Sequence, residues 1–392
     1  MYNPYVTNAF TIRNLLIHRS GLKEVSGGTL IYGSDLSRIE VIKRFKYLDP
    51  VSGFRSKPAY QNIMYIVAGE VVAAVSGLTW EEFIKTKIFK PLDMNNSVTS
   101  YSEIINSKNV ATPHHKDENF KVIPIPHRNH DNLAPCGSIY STPIDMAKYI
   151  RLFLNDGVVK ADTIISKNVL SEIFKPQILY PAYGKPFHND FTSYGFGWFL
   201  TPKKEYTIIE HSGGVDGMRA NMHMVPDLNF GAIAFVNQEE SVAYFLMYYL
   251  LAKVQREKTG GIYDQFKTRR EKRKDRRLKE LKELIASQVK GTNLSLEINK
   301  YTGTYIDEMY GEIFIKFKND ALYIEFSHTP SFSGSLKHWH YDTFEVDWID
   351  PMAPNGFITF VLNSKGKILE LIIDQPSLLD VDFNELHIKR KN

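Results

Sequence analysis

Cysteine is all but absent from this 392-residue chain. The one thiol, Cys136, cannot close an intrachain disulfide, so no covalent staple contributes to the fold. Long apolar runs are missing too: nothing approaches the roughly 18 consecutive apolar residues of a transmembrane segment, and AYFLMYYLLAKV at 243–254 reads as a core helix. The opening MYNPYVTNAF lacks the basic segment, apolar core and small-residue cleavage site of a signal peptide. Glycine-rich phosphate loops and a Gly-x-Ser-x-Gly elbow are absent, and no cofactor is expected. His114-His115, His127-x-x-His130 and His338-Trp339-His340 come without a cysteine or carboxylate at ligand spacing. They read as loop or sheet-surface histidines, not as a metal site.

What is present is ordinary for a soluble globular protein, with 43% hydrophobic and 23% charged residues. The length fits two domains, or one large domain with an appendage. The net charge of +4 is unevenly spread: residues 253–283 hold more than the whole surplus, and the remainder is net acidic. Within that segment KTRREKRKDRRLKELKEL mixes both signs, with Leu278, Leu281, Leu284 and Ile285 at helical spacing. This predicts a solvated linker helix. No base-stacking aromatics interrupt those charges, so no nucleic-acid partner is expected.

Before the linker, helices come first. TIRNLLIHRSG (11–21) predicts a short helix with a glycine stop, and SRIEVIKRFKYL (37–48) repeats apolar residues at helical spacing. NIMYIVAGEVVAAVSG (62–77) is apolar almost all round, which predicts burial on most sides. Thr79 and Glu82 form a capping box for a helix ending before Pro91. TPIDMAKYIRLFLNDG (142–157) offers Thr142 as N-cap, Pro143 at the first helical position, Asp145 in the first turn and Gly157 as the stop. From Tyr194 the period shortens: YGFGWFLT, YTIIEH, MRANMHMV and FGAIAFVN predict four antiparallel strands, followed by a helix over 239–254. The plan is α+β. After Lys290 the chain reads as strand throughout (EIFIKF, ALYIEF, FEVDWI, GFITFVL, ILELIIDQ), predicting a small antiparallel barrel or sandwich. The expected division is 1–255, a charged helical linker at 256–290, and an all-β domain at 291–392.

Two motifs carry chemistry. Tyr60-Gln61-Asn62 opens the apolar helix, and His211-Ser212-Gly213-Gly214 closes a strand-like run. Together with TIRNLLIHRSGL (11–22), LAPCGSIYSTPIDMAKYIRLFLNDG (133–157), YGFGWFL and EHSGGVDG, they resemble the class C β-lactamase, penicillin-binding-protein-like and related esterase family of serine hydrolases. The likeness covers about residues 5–255. The β region opening KYTGTY resembles the small barrel appended to many members. The resemblance implies an antiparallel sheet flanked by helices and a serine that forms an acyl-enzyme with an amide or ester. It makes Tyr60 a partner in proton transfer, with a phenol that neighbouring cations must depress from a pKa of about 10. Asn62 would bond the acyl-side amide. His211 stands where β-lactamases carry lysine and shifts the expectation towards a peptidase or esterase. Gly213 would let substrate lie close to the strand, Ser212 belongs to the same strand, and the Gly214 N–H would serve as an oxyanion donor. Arg219 is a candidate for binding a substrate carboxylate, against the ordinary reading of a solvated surface arginine.

The third element of such a site, Ser-x-x-Lys, has no convincing copy upstream of Tyr60. Ser20-Gly-Leu-Lys23 is interrupted by a helix-breaking glycine, and Ser287-Gln-Val-Lys290 lies in the linker; both read as chance matches. The expectation is that the chain is N-terminally truncated and inactive as given, with the serine encoded upstream of Met1. The alternative is a non-catalytic binding or scaffold protein on the same fold. The partner in either case is a small molecule or peptide with an amide or ester bond. By resemblance alone the location is periplasmic or extracellular.

Overall fold

The structure, a computed structural model, describes residues 1–117, 120–180, 191–203, 205–376 and 380–391. Its contacts divide the chain into two compact units. One is Asn8–Leu22 with Val51–Thr268; the other is Met1–Thr7, Lys23–Pro50 and Arg269–Asn392.

In the first unit, helix α1 (Ile12–Leu16) is capped by Thr11, whose side chain accepts from the Asn14 N–H. It stops short of the predicted end, because His18 takes a left-handed φ of 54° and turns the chain. Helix α2 (Asn62–Ser76) ends at Gly77, whose φ of 70° suits only a residue without a Cβ. Burial on most sides holds for α2 as far as Ala73: Ile63, Met64, Ile66 and Gly69 are buried and the others are half-covered by residues 12–16, 80–84 and 134–137. The last turn, residues 74–76, is exposed, with Val75 at 83%. Helix α3 (Trp80–Ile84) carries the expected Thr79–Glu82 capping box, and α4 (Pro143–Leu154) the expected Thr142 cap.

The antiparallel meander has six strands where the pattern predicts four: β1 (Ile178–Tyr180), β2 (Thr192–Tyr194), β3 (Phe199–Pro202), β4 (Thr207–Val215), β5 (Met218–Val225) and β6 (Phe230–Val236), adjacent in chain order. The two extra strands are three residues each, too short to show a period. Helix α4 packs on β6, where a Cβ at Gly231 would lie 2.3 Å from Ile150 Cγ2, so only glycine admits the helix. On the other face Leu251 of α5 (Val242–Val254) meets Ile208 and Val225. Helix α6 (Gly260–Ala286) follows and buries none of its 27 residues.

In the second unit, eight strands close an antiparallel barrel: β7 (Gly303–Asp307), β8 (Gly311–Lys318), β9 (Ala321–Phe326), β10 (Ser333–His340), β11 (Thr343–Trp348), β12 (Gly356–Leu362), β13 (Ile368–Asp374) and β14 (Ile388–Arg390). The helix-flanked sheet and the barrel bear out the α+β expectation. Strands β7, β10 and β14 escape the sequence pattern because they are short or rich in Gly, Ser, Lys and His. Inside, Tyr301, Tyr305, Phe332, Phe344, Phe360 and Phe383 are almost wholly buried. Closed rings of strands leave no edge, which is how a small all-β unit avoids pairing with other chains.

Candidate active site

Three segments of the first unit meet: the turn after α1, the start of α2, and the end of β4. Tyr60 and Gln61 precede α2, with Gln61 extended as its N-cap, and Asn62 is its first residue, half-buried. The Tyr60 and His211 rings lie with centroids 6.2 Å apart. Between them and the core stand residues that the sequence did not single out. The His18 ring packs 4.4 Å from Tyr60, and Tyr194 lies 5.2 Å from His18 and 6.3 Å from His211. Phe199 closes the other side of His211 at 5.7 Å. A histidine within TIRNLLIHRSG and a tyrosine opening YGFGWFL carry no spacing signal of their own; the only hint was their place in segments shared with the family.

Strand β3 pairs only with residues 207–210 of β4, while β5 pairs with all of 209–215. From His211 to Val215, then, one edge of the backbone has no strand partner among the described residues. That edge can pair with an extended ligand. A Cβ at Gly213 would meet nothing closer than Ala220 Cβ at 3.8 Å, an ordinary contact. The protein's own packing therefore does not demand glycine there. Gly213→Ala is expected to change stability by under about 1 kcal/mol, since surface changes away from packed features usually do, while weakening binding of any ligand along the strand. A matched pair of urea melts and ligand titrations would check both halves.

Arg219 sits opposite Gly214, one step out of phase with the His211–Met222 pair. Alternation along the strands places it on the face that carries Glu210 and His223, away from His211. The structure thus brings Tyr60, Asn62, His211 and the Ser212–Gly214 strand together and leaves Arg219 outside.

The electrostatics are those of neutral rings. Burial drives the His18 pKa down to about 3, with further depression from His211. His211 is also pushed below its ordinary value, chiefly by burial, against smaller opposing effects of the Ser212 hydrogen bond and Glu210. Neither imidazole beside the Tyr60 ring offers it a cation.

Neither formal Ser-x-x-Lys is built as a catalytic pair. The buried Ser20 hydroxyl donates to Gln61 Oε1 at 2.6 Å, tying the turn after α1 to the residue between Tyr60 and Asn62. Lys23 pairs with Asp382 in the barrel-bearing unit. The exposed Ser287 donates to the Leu284 carbonyl at 2.7 Å. Among the remaining histidines, His130 differs from expectation: it is a loop residue, yet only 6% exposed.

The family model described as Beta-lactamase matches residues 3–256. The chain belongs to the beta-lactamase family. Residues 287–390 match the model described as Domain of unknown function (DUF3471). Among relatives, Penicillin-binding protein 4* of Bacillus subtilis is 26% identical over 268 residues, covering 62% of this chain and 54% of that one. Unguisins hydrolase ungD of Aspergillus violaceofuscus is 24% identical over 251 residues, 60% of this chain and 44% of its own. The D-alanyl-D-alanine-carboxypeptidase/endopeptidase AmpH of Escherichia coli is 24% identical, with 60% of each chain covered. The chain thus spans about half the length of such relatives. The solved structure of an octameric penicillin-binding protein homologue from Pyrococcus abyssi shares the fold, with a TM-score of 0.57 at 19% identity over 95% of this chain and 80% of that one. These are serine hydrolases and their kin, and the penicillin-binding-protein-like expectation is borne out at that level.

Proposed function

We propose that these residues form the non-nucleophilic side of a serine acyl-hydrolase site acting on an amide or ester, with peptidase or esterase chemistry favoured over β-lactam hydrolysis. The observation that carries it is the approach of the Tyr60 and His211 rings to 6.2 Å beside the first residue of α2. In this reading Tyr60 moves a proton, Asn62 holds the acyl-side amide, and the His211–Gly214 edge pairs with substrate. A phenol can serve as base near neutrality only beside a cation, and both neighbouring imidazoles are neutral. In this reading the family resemblance assigns that role to the lysine of a Ser-x-x-Lys. A neutral His211 in place of a lysine supports the preference for peptidase or esterase chemistry. Export to the periplasm or cell surface belongs to the same proposal and rests on the family alone.

The test is covalent labelling. The 392-residue chain, incubated with a fluorophosphonate or labelled penicillin, is expected to take up no stoichiometric label. Modification of Ser20 or Ser287 would overturn the assignment. The commitment of both serines to internal hydrogen bonds also favours a second reading, a binding or scaffold protein that keeps the cleft without chemistry. The coding sequence before Met1 separates the two: an in-frame Ser-x-x-Lys supports the hydrolase, and an in-frame stop close upstream supports the scaffold.

A further inference from the structure

His18 is a buried, non-glycine residue in the left-handed region, at φ 54°, a conformation that persists only where the surroundings impose it. The imposing contacts are polar and ordered. The Gln61 N–H donates to His18 Nδ1 at 3.2 Å, which obliges that nitrogen to carry no proton. In the neutral ring the proton is then on Nε2, which lies 3.4 Å from Tyr194 Oη and donates to it. At the other end His211 Nδ1 stands 2.7 Å from the Ser212 carbonyl oxygen, which can only accept, so Nδ1 bears the proton there. A neutral His211 leaves Nε2 as a lone pair, 3.4 Å from Tyr194 Oη, and the phenol O–H donates to it. The neighbouring Tyr65 spends its own proton on the Leu16 carbonyl at 2.9 Å.

With that proton committed, Tyr65 Oη also accepts from Tyr194, so the Tyr194 O–H is shared between Tyr65 and His211 Nε2. We propose that His18 and Tyr194 are positioning residues for His211: the Ser212 carbonyl sets the Nδ1–H tautomer, and the chain from the Gln61 N–H through His18 and Tyr194 holds Nε2 as an acceptor and fixes the ring's orientation. The substrate-facing strand then presents an uncharged ring. The groups facing His211 are Tyr60 and Tyr194, with His18 behind them, and none brings a formal charge; Glu210 points to the opposite face towards His223. Deepening the hydrolase reading, on which this part rests, such a site takes acyl substrates whose flanking group is a neutral amide or ester. A free carboxylate gains no ion pair from His211.

The experiment is long-range proton–nitrogen NMR of the histidine rings in the nitrogen-15-labelled chain, with His18→Gln and His211→Gln used for assignment. At neutral pH the expected spectrum shows His18 protonated on Nε2 and His211 protonated on Nδ1, both neutral. Tyr194→Phe removes the donor to His211 Nε2 and keeps the ring's volume. It is expected to shift the His211 Nε2 resonance and to move that residue's titration upward, while the Ser212 carbonyl keeps the proton on Nδ1. A role in packing alone would move neither signal. Protonated Nε2 on His211 in the wild-type chain would overturn the proposal, as would unchanged His211 signals in the variant. If the variant fails to fold, the wild-type tautomers decide alone. This measurement needs no acyl chemistry, so it and the labelling experiment fail independently.

Discussion

Acidifying from pH 7 to pH 4 is expected to destabilise the sheet-bearing unit through His18 by roughly 3 kcal/mol, rising to about 4 kcal/mol near pH 3. The folded-state pKa is about 3 and the ordinary value is 6.5. Below pH 6.5 the unfolded chain therefore binds a proton that the folded chain refuses, and the equilibrium tilts towards unfolding as the pH falls. Above pH 6.5 neither state is charged and the effect vanishes. The cause is local: burial in a site closed by Tyr60, Tyr65 and Tyr194 leaves the imidazolium without water, and His211 adds to the depression. His211 and His130 add to the trend in the same direction, since burial depresses both. His18→Gln removes the largest share, so its stability curve should be flatter between pH 6.5 and 4 than that of the wild type. Amide hydrogen exchange reads the two units separately and supplies the comparison. Parallel curves for the two chains would show that His18 is not the group responsible.

Phe344→Ala is expected to cost the barrel about 3–5 kcal/mol, the usual range for removing a fully packed phenylalanine. The side chain is 1% exposed and sits edge-on to Tyr301 at 5.6 Å and Phe360 at 5.5 Å, which themselves meet at 4.9 Å. Three aromatic rings in mutual edge contact leave a cavity that neighbouring strands, tied on both sides by ladder hydrogen bonds, cannot close. The loss should fall on exchange-protected amides of β7 to β14 and spare those of β4 and β5. A cost below about 1 kcal/mol would mean that the barrel core repacks freely, contrary to close packing.

Much of this was written in short-range signals. The Thr79–Glu82 box and the Thr142–Pro143 start specify helices by satisfying the first N–H groups with residues a turn away, and both appear as expected. The long strands of the sheet and barrel announce themselves by alternation over five residues or more. Strands β1, β2 and β14 have three residues each and could be recognised only through their partners. Helix α2 shows the opposite failure: a composition fit for burial all round, its last turn exposed because burial needs a neighbour.

The site divides along the same line. Tyr60, Asn62 and His211 stood out because they fall in motifs that resemble the family's. His18 and Tyr194 were not, since a lone histidine in a helical string and a tyrosine at a strand start look like packing. Ser20 shows how misleading a string can be: its hydroxyl holds Gln61, and its formal lysine partner bonds elsewhere.

By itself the sequence determined the family, the α+β plan and the helix starts, because each depends on residue type and local spacing. Only the tertiary structure decided which face Arg219 takes, how the barrel closes, and which polar groups each imidazole meets. Those are properties of contacts between segments far apart in the chain. A donor must find its acceptor in space before its direction has any meaning.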